Sequence, residues 1–234
     1  MGWIGAVCGL KSEAALLSPL ADAGLLKLAI SGASTKRAEQ AAERLANDGA
    51  EYLLSFGLCG ALSADIHAGD LVLADEVCAE NDPAARWSCD HERLERLRGA
   101  LPTTLAKRSH AGRLLGSDRI VASADDKQRL GQRYAALAVD MESHAVARVA
   151  ARQGLAFLVL RACSDEVGQE LPPAALKATQ ADGSVDISAV LGGLTRKPGQ
   201  ISGLIALGKG SKRAHASLAR AITAGASALS GLEG

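Results

Sequence analysis

The segment 136–165 constrains the fold more than any other stretch. Residues 136–140 form a short apolar run that ends on a carboxylate, Asp140. From 142 to 153 the apolar residues fall at 145, 146, 149 and 150, the spacing of one helix face, and Gly154 stands where a helix stops. Residues 155–163 are nearly all apolar, as in a parallel strand buried on both faces. Ser164 and Asp165 follow just past the carboxyl end of that strand, the edge where open α/β sheets bind ligands. Glu142 and Asp165 are therefore expected to face one pocket from adjacent elements.

The chain upstream alternates in the same way. Strands are expected at 3–8, 26–32, 51–56, 70–77 and 112–116, with helices at 12–23, N-capped by Ser12, and at 35–47. Such alternation predicts a single α/β domain: a mixed, mainly parallel central sheet with helices on both faces. Residues 1–170 read as the α/β core and 171–234 as a helical C-terminal extension packed on the same domain. The extension is expected to hold short helices at 186–194 and 198–208, a closing Ala/Leu helix at 211–229 and a frayed end at 230–234. A polar, Arg-rich excursion at 80–102, with Trp87 and a helix-like segment at 90–98, reads as an insertion over the sheet edge.

Composition narrows the function classes. Hydrophobic residues make up 48% of the 234, enough for a sizeable core. Lys plus Arg (26) balance Asp plus Glu (26), so net charge points to no polyanion, and 3% aromatics leave no stacking platform for nucleic acid. The five cysteines, at 8, 59, 78, 89 and 163, are odd in number and lack CxxC spacing. They read as small buried side chains in a reducing cytosol, which makes the expected location cytoplasmic. The N-terminus enters a strand pattern without a basic leader. No apolar run reaches the roughly 20 residues that cross a bilayer. No metal-ligand spacing is present, and the GxGxxG dinucleotide fingerprint is absent, so neither metal nor cofactor is expected.

Two loops invite a ligand. Gly57 and Gly60, three apart after the third strand, read as a turn whose backbone N–H groups approach a ligand, or as a plain tight turn. Ser31, Gly32, Ser34, Thr35, Lys36 and Arg37 join a strand to a helix N-terminus. They read either as an anion seat or as an ordinary hydroxyl cap beside solvated cations. His144 is expected to be structural, on the polar side of its helix.

Together these motifs carry a family resemblance. Residues 139–143 (Val-Asp-Met-Glu-Ser), 161–165 (Arg-Ala-Cys-Ser-Asp) and 55–62 (Ser-Phe-Gly-Leu-Cys-Gly-Ala-Leu), with Gly69 and Asp70 downstream, resemble the superfamily of purine nucleoside phosphorylases and methylthioadenosine/adenosylhomocysteine nucleosidases. Residues 171–176, 182–187 and 197–205 are similar to its hopanoid-associated phosphorylase branch, which removes adenine from adenosylhopane. The resemblance implies release of adenine from a nucleoside by phosphorolysis, with hydrolysis as the alternative. It assigns ribose hydroxyls to Glu142, sugar packing to Met141, proton donation at purine N7 to Asp165 with Ser164 orienting it, and water activation to Glu13. Ile120 and Val121 would flank the base, and Gly57 would lie at the substrate. Inorganic phosphate, where it is co-substrate, would have to use Gly32, Lys36 and Arg37, since the phosphate-binding Arg that hexameric phosphorylases carry near the glycine motif is missing. The family further implies a homo-oligomer, and a hopanoid substrate implies a wide apolar groove and peripheral membrane contact.

Overall fold

Alternating apolar runs become eight strands and eight helices in the computed structural model, which describes residues 2–82, 84–176, 180, 182–184 and 201–230. The strands are β1 (Ile4–Cys8), β2 (Leu26–Ile30), β3 (Tyr52–Ala61), β4 (Leu71–Ala79), β5 (Arg86–Ser88), β6 (Ser109–Gly116), β7 (Ala138–Asp140) and β8 (Ala156–Asp165). The helices are α1 (Lys11–Asp22), α2 (Thr35–Asn47), α3 (His91–Ala100), α4 (Thr103–Ala106), α5 (Ala124–Tyr134), α6 (Ser143–Gln153), α7 (Pro173–Leu176) and α8 (Ile201–Ser230).

One sheet contains every strand. Its order is β2-β1-β3-β7-β6-β4-β5, and β8 bridges β3 and β4, so that the pairings β3–β8–β4–β6–β7–β3 close into a ring. The β1–β2, β1–β3, β3–β8, β4–β6 and β6–β7 pairs are parallel; β3–β7, β4–β5 and β4–β8 are antiparallel. This is the mixed, mainly parallel sheet read from the sequence. Its interior strands are buried on both faces, with Leu53, Leu54, Leu71, Val159 and Leu160 at 1% exposure or less. The edge excursion supplies β5, which zips antiparallel onto β4, and α3, capped by the Asp90 carboxylate on the Arg93 N–H.

Three expectations are corrected. The segment around Gly57 and Gly60 is not a turn: β3 continues through it to Ala61, because β8 pairs alongside as far as Asp165. Ser12 is not an N-cap; Leu10 is, and the Glu13 carboxylate accepts the Gly9 and Leu10 N–H groups in place of a cap hydroxyl. The expected breaks near Gly208 and Gly210 are absent: α8 runs unbroken over 30 residues, about 45 Å. Gly210 is needed because a Cβ there would lie 2.0 Å from the Ser164 carbonyl, so α8 packs backbone-close on the end of β8. The helix expected at 186–194 and the first residues of that at 198–208 lie outside the described residues.

Candidate active site

Four strand ends converge on one cavity of about 200 Å³. It is lined by residues after β1 (Gly9, Leu10, Glu13), on β3 (Leu58, Cys59, Gly60), around β7 (Val139–Glu142) and on β8 (Ser164, Asp165), with Ile120, Val121 and Leu171 at the side. Four carboxylates reach this wall, and all are buried: Glu13, Asp140, Glu142 and Asp165 at 2%, 6%, 4% and 5% exposure. Buried carboxylates demand partners, and the partners divide the cavity into two ends.

At the first end Glu13, Asp140 and Glu142 gather around Arg161. This arginine, itself 1% exposed, projects from the middle of β8. Its Nη2 lies 2.7 Å from Asp140 Oδ2 and 3.3 Å from Glu142 Oε2, and donates to Ser55 Oγ at 2.6 Å. Ser143 completes the frame, donating through its hydroxyl to Asp140 and lying 2.9 Å from Ser55 Oγ.

Glu13 is held by backbone alone. Its Oε2 accepts the N–H groups of Gly9 and Leu10, each at 2.8 Å, and Oε1 accepts that of Leu58 at 2.9 Å. Gly57 makes room for this arrangement. Its φ of +150° suits glycine, and a Cβ there would lie 2.5 Å from the Glu13 carboxyl carbon. Gly57 thus backs Glu13 and does not line the cavity. A Cβ on Gly9 would sit 2.9 Å from Glu142 and 3.4 Å from Glu13, so the two glutamates meet over that glycine.

One guanidinium cannot satisfy three carboxylates in a dry site. Burial pushes the Glu13 carboxyl above the ordinary glutamate value, against the pull of Arg161 and the three N–H groups. Burial likewise raises Glu142 to about 7; the charges of Asp140 and Glu13 add to the rise and Arg161 opposes it.

The second end is built differently. Asp165 faces Lys127, which projects from α5 and is fully buried. Lys127 Nζ lies 2.5 Å from Asp165 Oδ2 and donates to the carbonyls of Gln169 (2.8 Å) and Glu166 (3.1 Å). Ser164 Oγ lies 2.6 Å from the other oxygen, Oδ1. Gly60 leaves space here, since a Cβ would stand 2.9 Å from Oδ2.

The structure thus brings Glu13, Met141, Glu142, Ser164, Asp165, Ile120 and Val121 to one cavity, as the sequence suggested. It does not bring Gly32, Lys36 or Arg37 there. Arg37 turns back on its own loop, where its guanidinium donates to the carbonyls of Ser31 (2.5 Å) and Gly32 (2.8 Å). Ser34 caps α2, Thr35 Oγ1 donates to the Met141 carbonyl at 3.1 Å, and Lys36 is exposed. Ser34, Thr35 and Arg37 are thus engaged in closing the loop, while the buried Ser31 Oγ has no hydrogen-bond partner. His144 is fully buried, with Nε2 3.0 Å from Asp118, and does not sit on a polar face.

Asp140, Arg161 and Lys127 had not been singled out as site residues. Two carried a legible signal. Arg161 is a lone charge inside an apolar strand, and Lys127 falls on the buried stripe of its helix with Leu130 and Tyr134.

Comparison with known proteins gives the chain a family and its fold close counterparts. The model of the phosphorylase superfamily matches residues 23–195. A guanosine phosphorylase of Halorubrum lacusprofundi is 29% identical over 137 residues, 56% of each chain. A 5′-methylthioadenosine/S-adenosylhomocysteine nucleosidase of Staphylococcus epidermidis is 25% identical over 129 residues, 49% of this chain and 57% of that one. The matches therefore span little more than half of those relatives. The corresponding nucleosidase of Neisseria meningitidis has a similar fold, with a TM-score of 0.71 at 17% identity over 95% of this chain and 97% of that one. Futalosine hydrolase of Helicobacter pylori is also similar, at 0.66 and 15% over 95% and 97%.

Proposed function

The chain belongs to the phosphorylase superfamily, and from that premise we infer that it is an enzyme that hydrolyses the N-glycosidic bond of an adenine nucleoside, releasing adenine. The observation that carries the choice of water over phosphate is the charge of the cavity wall. Among the described residues, four carboxylates line it, and the cations at it or behind it are engaged: Arg119 with Glu80 and Asp126 at the wall, Arg161 with Asp140 and Glu142, and Lys127 with Asp165 behind it. A phosphate dianion would find no unengaged cation in this wall. A water molecule would meet acceptors.

In this reading Glu142 accepts hydrogen bonds from the ribose hydroxyls and Met141 packs on the sugar. Glu13 receives a proton from the attacking water. Its Oε1 carries a single backbone bond, which leaves that oxygen free to accept another, and burial raises its affinity for protons above that of an ordinary glutamate, as a general base requires. Asp165, oriented by Ser164, delivers a proton to N7, without which adenine is a poor leaving group. The C1′–N9 bond breaks with its electron pair going to the base, and the water oxygen closes on C1′. Ile120 and Val121 flank the base.

Adenine is the proposed base because the relatives named above include methylthioadenosine/adenosylhomocysteine nucleosidases. For the 5′ substituent we propose an apolar group, adenosylhopane being the leading candidate. Ile30, Ile120, Ile201 and Ile205 are large apolar side chains left exposed, and Ile120 is at the cavity itself. No described helix is long and apolar enough to cross a membrane, so contact with a lipid-borne substrate would be peripheral. Assembly as a homo-oligomer belongs to the same proposal.

Mass spectrometry of the sugar product tests the reading, with adenosylhopane and methylthioadenosine offered in parallel, with and without phosphate. Free sugar formed equally in phosphate-free buffer is expected. A strict phosphate requirement, yielding a sugar 1-phosphate, would overturn hydrolysis.

A further inference from the structure

The three bonding positions of the Lys127 nitrogen are all accounted for. Two face the carbonyl oxygens of Glu166 and Gln169, which can only accept, so both positions must carry N–H. The third faces Asp165 Oδ2 at 2.5 Å. Along that line one proton satisfies both atoms, whether it sits on nitrogen or on oxygen. A buried pair of this kind holds one transferable proton between an ammonium–carboxylate and an amine–carboxylic acid form. Of the two residues only Asp165 lines the cavity; Lys127 has no exposed surface.

We propose that Lys127 is a positioning residue that stores the proton Asp165 passes to the departing base. This deepens the hydrolytic reading and rests on it. In the resting site one proton lies on the line between Nζ and Oδ2. As the C1′–N9 bond lengthens and its electron pair moves to the base, that proton passes to Asp165 and from Asp165 to N7, which leaves Asp165 a carboxylate again. Lys127 is left as a neutral amine, still donating to its two carbonyls. Adenine departs protonated at N7, and the proton of the attacking water goes to Glu13. When the cavity refills, water returns a proton to Lys127 through Asp165, and Glu13 discharges its own to solvent. Ser164 Oγ keeps Oδ1 aimed throughout.

The test uses Lys127→Met and Lys127→Arg in the full chain. Methionine removes the cation, whereas arginine keeps a charge but cannot release a proton. Both variants are expected to lose about 10²-fold or more in kcat for adenine release, the range of a missing proton donor, with KM little changed. Free adenine, measured by calorimetry, should still bind both variants nearly as it binds the parent, showing that the base site is intact. Wild-type kcat in Lys127→Arg would overturn the proposal, since charge alone would then suffice. So would loss of adenine binding in step with kcat, which would make Lys127 a purely structural support. A parent enzyme that neither cleaves adenine nucleosides nor binds adenine would instead break the functional reading beneath it.

Discussion

The two ends of the cavity answer the same problem, carboxylates out of water, in opposite ways. Around Arg161 one guanidinium pairs with Asp140 and Glu142 while Glu13 rests on backbone N–H groups beside them, and burial raises the proton affinity of both glutamates. Around Lys127 one carboxylate meets one ammonium at 2.5 Å. An end short of cations takes up a proton readily. An end with a matched pair can give one away. Glycoside hydrolysis needs both operations on opposite sides of the same bond, so the asymmetry of counter-ions has the polarity of the proposed reaction.

The comparison can be broken most severely at Arg161. Arg161→Met would leave Asp140 and Glu142 buried without their cation, and urea unfolding should report a loss of about 3–5 kcal/mol, the penalty for an orphaned buried charge. An unchanged midpoint would mean that these carboxylates do not depend on it. Next come the reacting groups. Glu13→Gln and Asp165→Asn should each lower kcat by about 10²–10⁴-fold while adenine binding survives. Comparable activity in either variant removes that residue from its role.

A smaller effect concerns pH. Burial pushes the Glu142 carboxyl up from the ordinary 4.5 to about 7, so the native state keeps a proton that the unfolded chain releases. The stability due to this group is full below about pH 4.5 and is lost as the pH rises towards 7. Glu142→Gln should remove a pH-dependent loss of about 3 kcal/mol in urea unfolding series across this interval. A variant with the same pH slope as the parent would show that the proton is not held at this residue. The smallest effect is expected at Lys36. This exposed side chain lies outside the cavity, so Lys36→Ala should change stability by no more than about 0.5 kcal/mol and leave turnover unaltered with or without phosphate. A large rise in KM for phosphate would restore the anion seat.

Much of this was written in the order of residues. The 136–165 unit sets Glu142 and Asp165 on neighbouring strand ends, because period and apolar runs dictate those elements without reference to the rest of the chain. What escaped was information carried by pairings between distant segments. Gly57 and Gly60 read as a turn because glycine favours turns. Pairing with β8 holds them extended, and what their missing side chains accommodate is the carboxylates of Glu13 and Asp165. Arg37 reads as a solvated cation and Thr35 as an anion seat or a cap because the carbonyls they bind, at Ser31, Gly32 and Met141, carry no signature in side-chain sequence. Lys127 was visible only as a misfit on an apolar helix face. Its partner lies 38 residues away, and no local rule joins them.

Glu13 has a second duty that bears on timing. The carboxylate proposed to take a proton from water is also the clasp that ties the start of α1 to β3, through the N–H groups of Gly9, Leu10 and Leu58. A carboxylate grips three such donors more strongly than the neutral acid does. Each turnover would therefore ease that clasp at the moment the glycosidic bond has gone, and re-tighten it when Glu13 sheds its proton.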